Sequence, residues 1–522
     1  MQVLSARQVN LGVVTFANVP GPRDVLEAAW NLAQSSKLGR HLGSSLLRVL
    51  AGYLLAAFAG IALGLLIGRG RWARDSLLPP LEVLRPIPAV AWIPLAILMF
   101  PSSELSMIFI TFTGALFPIL LNTIHGVEAV DPRLLASARS LGAGRLALLR
   151  EVVLPGAAPS IVTGLAIGMG TSWFCLVTAE MISGQWGIGY YTWESYTLQN
   201  YPRHRRRHAA DRRARHGQQP AGAPARQPRH TLAAPGRRQA MSLPASAPGR
   251  VRVDGLSIHL GSGRDAFEAV QSLSFSIEPG EFVCVLGPSG CGKSTLLGAL
   301  AGHLAPSAGK LEVDGGPVAG PSPERGMVFQ HHTLLPWRRV RDNVAFGLKM
   351  RGVRRAERHR QADEMLQLVG LNGFANRWPS QLSGGMQQRV EIARVLINQP
   401  RLLLMDEPFG ALDAQTRMMM QELLLDIWTR LRTSVLFITH DIDEALFLAD
   451  RILVMSPRPG RILEDIRLDF PRPRHADLLT SPEFSRLKRH CLELLRHEDG
   501  RQLPRLTPLG LPTPQRIPRF AI

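Results

Sequence analysis

The run GPSGCGKST, Gly287–Thr295, has the residue types and the spacing to hold a polyphosphate. It follows an apolar segment, Glu281–Leu286, that reads as a strand, and it opens a segment that reads as a helix. Gly287, Gly290 and Gly292 let backbone N–H groups wrap phosphate oxygens, and the helix N-terminus adds its dipole. Pro288, Ser289, Cys291 and Thr295 complete the loop. Lys293 is placed to reach the β- and γ-phosphates of ATP, and Ser294 to ligate Mg²⁺. Further along, RLLLMDEP (Arg401–Pro408) reads as a strand ending in two acids. Asp406 is placed to hold the Mg²⁺ shell, and Glu407 to polarise the water that attacks the γ-phosphate.

Between these two strings lies LSGGMQQR, Leu382–Arg389. On this string the chain resembles the ABC ATPase family. Ser383, Gly384 and Gly385 open a helix and so form a second anion site. The resemblance implies that this site closes on the ATP held by another ATPase subunit, so that hydrolysis needs a head-to-tail pair. Gln330, in MVFQ, looks like the glutamine that contacts Mg²⁺ and water and senses the permease. Asp413, in ALDA, matches the D-loop. His440, in FITHD, closes the predicted strand Ser434–Thr439 and matches the histidine that faces the γ-phosphate. The family stacks adenine on an aromatic residue upstream of the phosphate loop, and here Leu260, His259 and Phe267 all stand as candidates. Cys291 is expected to be inert to catalysis, though open to alkylation. His331 and His332 read as solvated loop residues rather than metal ligands. The resemblance covers about residues 250–490.

The N-terminal part reads as a membrane bundle. Val49–Gly68, Leu105–Ile124 and Pro159–Ala179 carry no charge and are long enough to cross a bilayer. Pro86–Ser103 is also uncharged but is broken by Pro86, Pro88, Pro94 and Pro101, which places it inside a bundle where neighbours can satisfy freed backbone groups. Arg69, Arg71 and Arg74 follow the first span, and Arg133, Arg139, Arg145 and Arg150 precede the last, so both loops read as cytoplasmic. The loop LLASARSLGAGRLALLREVVLPGAAPS predicts an amphipathic helix ending near Gly142 and a second short helix ending before Pro155. It resembles the coupling loop of binding-protein-dependent ABC importer permeases at Ala138, Gly142, Pro155 and Pro159. The family's leading Glu is Ala136 here. The flanking runs RPIPAVAWIPLAILMF and AEMISGQWGIGYY, with LLPW after Gln330, resemble the nitrate/sulfonate/taurine branch. This resemblance covers roughly residues 20–201.

The expected fold is therefore an all-α transmembrane bundle (1–201) joined to an α/β P-loop NTPase of ABC type (241–499). It implies ATP-driven import of a small solute across an inner membrane, with the ATPase on the cytoplasmic side. The implied partners are a second ATPase, a second permease subunit and a solute-binding protein, either periplasmic or a lipoprotein. An exporter lacks the coupling loop, and a soluble ABC ATPase acting on nucleic acid carries no spans. The net charge of +19 does not imply nucleic-acid binding, because Pro202–Ala240 alone holds eleven arginines against Asp211 and has no interleaved aromatics. Four cysteines with no CxxC pair exclude a disulfide scaffold and fit a reducing compartment.

The junction conflicts with this topology. One span between the coupling loop and the ATPase puts the ATPase outside, and 202–240 contains no apolar run to bring the chain back. Met241 begins a stretch that reads like a natural start. Two readings stay open: a genuine fusion through a basic linker, or a frameshift joining a permease, stripped of its last span, to its ATPase. In the second case only the ATPase part is competent. The first span is also expected to be missing, since only a short Leu11–Ala17 run precedes Pro20–His41, and no signal peptide is expected. The tail 500–522, rich in Pro, Arg and Leu, reads as disordered.

Overall fold

The computed structural model describes residues 30, 34–183, 186–197, 249–261, 263, 266–410 and 412–498. The Leu11–Ala17 run, the 202–240 stretch, the start at Met241 and the tail from Gly500 lie outside these residues. The chain divides into two units, Met1–Asp131 with Leu149–Arg238, and Pro132–Leu148 with Gln239–Ile522.

The first unit is helical. Among its described residues the first helices are α1 (Ser36–Arg69), α2 (Arg71–Leu84), α3 (Ile93–Met99) and α4 (Ser103–Glu128). After α5 (Pro132–Ser140), which belongs to the second unit, come α6 (Leu154–Ser183) and α7 (Ile188–Thr197). Among the described residues, three helical stretches are long and apolar enough to cross a membrane: Lys37–Arg69, Ser103–Glu128 and Arg145–Ser183. The Pro86–Ser103 stretch is not one helix. A 3₁₀ turn, Ala89–Trp92, leads into α3, and the pair α2 and Ala89–Met99 is bent by 79°. Pro86 and Pro88 cannot donate to a helical ladder, which accounts for the break. Ile93 and Ala96 are buried while Leu98 is 84% exposed, so only one face of α3 packs inward.

Close helix packing in this unit rests on small residues. A Cβ on Gly60, Gly64 or Gly68 of α1 would lie 3.0, 2.6 or 2.9 Å from Ile119, Thr123 or Val127 of α4. A four-residue spacing keeps these glycines on one helix face, so the two backbones can approach.

One charged cluster sits inside the helical unit. Arg48 of α1 is 1% exposed and Glu180 of α6 is fully buried. Arg48 Nη1 donates to Glu180 Oε1 at 2.9 Å, Arg48 Nε to Glu104 Oε2 at 2.6 Å, and Nη1 also to the Trp186 carbonyl. Glu180 further accepts from Ser45 Oγ at 2.7 Å and from the Gly189 amide at 2.9 Å. This explains the run AEMISGQWGIGYY. Gly187 leaves room for the Glu180 carboxyl, since a Cβ there would lie 2.2 Å from its Cδ. A buried arginine is tolerated because every charge in the cluster has a partner, and removing one partner of such a pair costs about 3–5 kcal/mol.

Among its described residues the second unit holds two sheets. An antiparallel sheet runs β2-β1-β4-β5, from β1 (Val251–Leu260), β2 (Phe267–Ile277), β4 (Ala308–Val313) and β5 (Gly316–Pro317). A six-stranded sheet runs β10-β9-β3-β8-β7-β6, with β3 (Phe282–Leu286), β6 (Arg325–Val328), β7 (Leu402–Asp406), β8 (Ser434–Thr439), β9 (Arg451–Met455) and β10 (Ile462–Arg467). All its pairings are parallel except β9 with β10. The central strands FVCVL, LLLMD, SVLFIT and RILVM are buried at every position. Such unbroken apolar strands suit a parallel sheet covered on both faces. The helices that matter for the site are α8 (Lys293–Ala301), α9 (Gly384–Leu396), α10 (Ala414–Leu431) and α11 (Ile442–Leu448).

The segment Pro132–Leu148 belongs to this unit. Ser140 Oγ lies 2.9 Å from His303 Nε2, and Ser137 Oγ accepts from Thr333 Oγ1 at 3.2 Å. α5 ends as expected near Gly142, which has φ +88° and sits where a Cβ would be 3.0 Å from Pro323 Cγ. The second short helix does not end before Pro155. Arg145–Leu148 passes through a five-residue π turn, Leu149–Val153, directly into α6. Pro155 has no N–H to give to the ladder, and the π turn just before it is where the continuous helix takes up that missing bond.

Candidate functional site

The C-terminal ends of neighbouring parallel strands are where an α/β sheet presents loops to a ligand. Here β3, β8, β7 and β6 are consecutive neighbours, and each ends in a residue singled out from the sequence. The phosphate loop leaves β3, His440 follows β8, Asp406 and Glu407 close β7, and Gln330 follows β6 by one residue. Sheet order thus gathers residues that are far apart in the chain.

The loop Gly287–Gly292 leads into α8, whose N-cap Gly292 has φ +100°, a conformation that favours glycine. A Cβ at Gly292 would also lie 2.5 Å from the Ala269 carbonyl, so the site has no room for another residue. Lys293 is 5% exposed, and its Nζ donates to the carbonyls of Gly287 at 2.8 Å and Pro288 at 2.9 Å. A cavity of about 300 Å³ is lined by Ser289, Gly290, Gly292, Lys293, Ser294 and Thr295, with Gln330 and Glu407. Gly287, Pro288 and Cys291 do not line this cavity. Cys291 is 1% exposed, and burial pushes its thiol pKa up, against the pull of Lys293. The expected access to alkylation is therefore closed by packing.

The two acids at the end of β7 each meet polar side chains from neighbouring strand ends. Ser294 Oγ donates to Asp406 Oδ1 at 3.1 Å. Burial pushes the Asp406 carboxyl above its usual range; the Ser294 hydrogen bond opposes this, and the neighbouring Glu407 adds to it. Glu407 Oε2 accepts from Gln330 Nε2 at 3.2 Å and lies 3.1 Å from His440 Nδ1. Glu407 has φ +41°, a left-handed backbone that a non-glycine residue holds only at a cost of about 1–3 kcal/mol. The oxygen donors of Ser294, Asp406 and Gln330 are hard ligands, the kind a Mg²⁺ ion takes. Among the described residues no cluster of three or more His, Cys, Asp or Glu side chains could hold a metal, which leaves His331 and His332 outside any such group.

Ser383 caps α9, its Oγ accepting from the Met386 amide at 3.4 Å, and Gly384 and Gly385 form the first turn. None of these three lines the phosphate-loop cavity. Asp413 caps α10, its carboxylate accepting from the Thr416 amide at 3.0 Å, and these bonds hold its pKa below the usual range.

Of the three candidates for a base platform, Leu260 and Phe267 line the cavity, while His259 does not. Leu260 and Phe267 are direct partners across the β1–β2 ladder, whereas His259 pairs with Glu268. Alternation along a strand sends neighbours to opposite faces, so only one of 259 and 260 can face the cavity. Two further features escaped the sequence reading. Arg458 also lines the cavity. A buried pair, Glu391 and Arg394 of α9, holds the backbone after Gln330, with the Thr333 amide donating to Glu391 and Arg394 Nη1 donating to the Thr333 carbonyl at 2.8 Å. Burial pushes the Glu391 carboxyl above its usual range, and Arg394 counters it.

Residues 270–410 match the family described as ABC transporter, and residues 60–205 match the family described as binding-protein-dependent transport system inner membrane component. The chain is 51% identical over 253 residues to a taurine import ATP-binding protein of Rhizobium johnstonii, covering 47% of this chain and 96% of that one. It is 48% identical over 239 residues to a nitrate import ATP-binding protein of a Synechocystis species, covering 45% of this chain and 90% of the other. An uncharacterized ABC transporter ATP-binding protein of Methanocaldococcus jannaschii is 46% identical over 249 residues, covering 48% of this chain and 92% of its own.

Proposed function

Because this chain belongs to the ABC transporter family and joins an importer permease segment to an ATP-hydrolysing cassette, we propose that it drives uptake of a small solute of the nitrate, sulfonate or taurine kind. The solute class is supported by the taurine and nitrate import relatives of its cassette. ATP lies along the loop 287–295, with Lys293 Nζ turning from the backbone carbonyls to the β- and γ-phosphates. Ser294, Asp406 and Gln330 hold Mg²⁺. That ion, when bound, offsets phosphate charge. Glu407 takes the proton from the attacking water, Gln330 orients that water, and His440 holds the Glu407 carboxylate and faces the γ-phosphate. The base stacks on Phe267. Ser383, Gly384, Gly385 and Asp413 meet the nucleotide of a second cassette, head to tail, because they stand off this chain's own phosphate cavity.

The chain is a multi-pass inner-membrane protein with its cassette in the cytoplasm, working with a second permease half and a solute-binding protein. The segment Pro132–Leu148, tied to Thr333 and so to the backbone after Gln330, is the contact through which nucleotide state reaches the permease. The observation that carries the reading is the meeting of Gln330 and His440 on Glu407, beside the Ser294–Asp406 pair. The test is ATP hydrolysis by the full chain in detergent micelles. Hydrolysis should rise with ATP with a Hill coefficient above one and stop when EDTA removes Mg²⁺. A purely hyperbolic response, or activity that survives EDTA, would sink the reading.

A second reading is favoured by one feature of the chain. Among the described residues, α6 is the one helix between the 132–148 segment and the cassette that is long and apolar enough to cross a membrane, and 202–240 holds eleven arginines and no apolar run. In this reading a frameshift joins two genes and only ATP binding and hydrolysis remain. Resequencing codons 190–245 decides it. An alternative frame encoding about 20 apolar residues and then a stop supports the frameshift; an unchanged frame rejects it.

A further inference from the structure

The turn between β9 and β10, SPRPGR at 456–461, is fastened to the phosphate site at several points. Ser456 Oγ accepts from the Arg461 amide and donates to the Pro457 and Pro459 carbonyls, each at 3.0 Å. The Gly460 amide donates to the Ala269 carbonyl at 3.1 Å, and the Gln271 amide donates to the Gly460 carbonyl at 3.0 Å. Arg461 Nε donates to the Gln271 side chain at 2.8 Å. Gly460 passes so near the phosphate loop that a Cβ there would lie 2.2 Å from the Cys291 carbonyl. Three segments are thus locked together: the turn, the start of β2 and the phosphate loop.

What this locked turn carries at its tip is Arg458. Its guanidinium carbon stands 4.4 Å from the centroid of the Phe267 ring, and its Nε donates to the Gly290 carbonyl at 3.3 Å. Phe267 is 38% exposed and lies at the very start of β2. A gap of 4.4 Å is filled by the stack itself and leaves no space for a base between the two groups. We propose that Arg458 is a positioning residue for nucleotide binding. It braces one face of Phe267 so that the opposite face stands ready at the cavity mouth to stack a base. The cation against the ring also polarises it, and the bond to Gly290 ties the brace to the loop that holds the phosphates. This rests on the reading of the cavity as the ATP site.

The test uses the full chain with substitutions Arg458→Ala, Arg458→Lys, Phe267→Ala and the Arg458→Ala/Phe267→Ala pair. Arg458→Ala should raise KM for ATP about three- to tenfold, the size of one cation–π contact, while kcat falls by less than KM rises. Arg458→Lys should recover part of the loss. The double variant should be no worse than Phe267→Ala alone, since the brace has nothing left to hold. Inhibition by inorganic tripolyphosphate, which has no base, should be unchanged in Arg458→Ala. The proposal is overturned if KM for ATP does not move, if the two substitutions add in full, or if tripolyphosphate binding weakens in proportion to ATP binding. Lys293→Ala separates the two levels of argument. Loss of ATP binding in that variant with no effect of Arg458→Ala removes only the brace, whereas unchanged binding in Lys293→Ala removes the nucleotide site itself.

Discussion

Replacing Glu407 with glutamine should lower the rate of ATP hydrolysis by about 10²–10⁴-fold while ATP binding persists. Glutamine keeps the shape of the side chain and can still meet Gln330 and His440, which lie 3.2 and 3.1 Å from Glu407 Oε2. What it loses is a group able to take a proton from water. The groups proposed to hold the nucleotide, the loop amides and Lys293, are untouched by the change. Steady-state hydrolysis and fluorescent-nucleotide binding on the full chain read the two effects apart. Hydrolysis near the wild-type rate would remove Glu407 as general base, and loss of nucleotide binding would mean that the side chain holds the site together instead.

Lys293→Ala acts at the earlier step. Lys293 Nζ is bonded to two backbone carbonyls at the head of the loop and is almost fully buried, so its charge is little screened by solvent. A hydrogen bond to a charged group contributes about 1.5–3 kcal/mol. Losing it should weaken ATP binding about 10- to 100-fold, at 1.4 kcal/mol for each factor of ten. Equilibrium binding of ATP measures this directly, and unchanged affinity would take Lys293 out of the phosphate site. The two variants form a contrast, since one binds normally but turns over slowly and the other binds weakly.

Much of the cassette could be read before its structure because its signals are local. A buried parallel strand is a short unbroken apolar run, and a phosphate loop must follow one. The strands ending at Leu286 and Thr439 were therefore legible to within a residue, and β7 starts one residue into the run Arg401–Pro408 but stops at Asp406, two residues short of its end. Their order in the sheet was not, because pairing is long-range, and it is the order β3-β8-β7-β6 that brings Gln330, Glu407 and His440 together. In the helical unit, absence of charge marked the three long helices but set the start of the first one too late. Charge in a span reads as its end, yet α1 begins at Ser36 and carries Arg48 inside, because Glu180 and Glu104 come from other helices to meet it. Pro155 misled in the opposite way. It reads as a stop, but the helix tolerates its missing N–H by widening into a π turn just before it, and the chain runs on into the span. Arg458 gave no signal, being one arginine in a basic chain, and only the fastening of its turn to β2 places it on Phe267.

The left-handed backbone at Glu407 bears on how this cassette responds to selection. Glycine adopts φ +41° at no steric cost, so Glu407→Gly relieves strain that the native side chain must bear. It also removes the carboxylate proposed to take the proton from water. A laboratory screen for thermal tolerance alone would therefore enrich glycine, and to a lesser degree asparagine, at position 407, and would return folded cassettes that hold nucleotide and do no work. A survivor with glutamate there must have been screened for turnover as well.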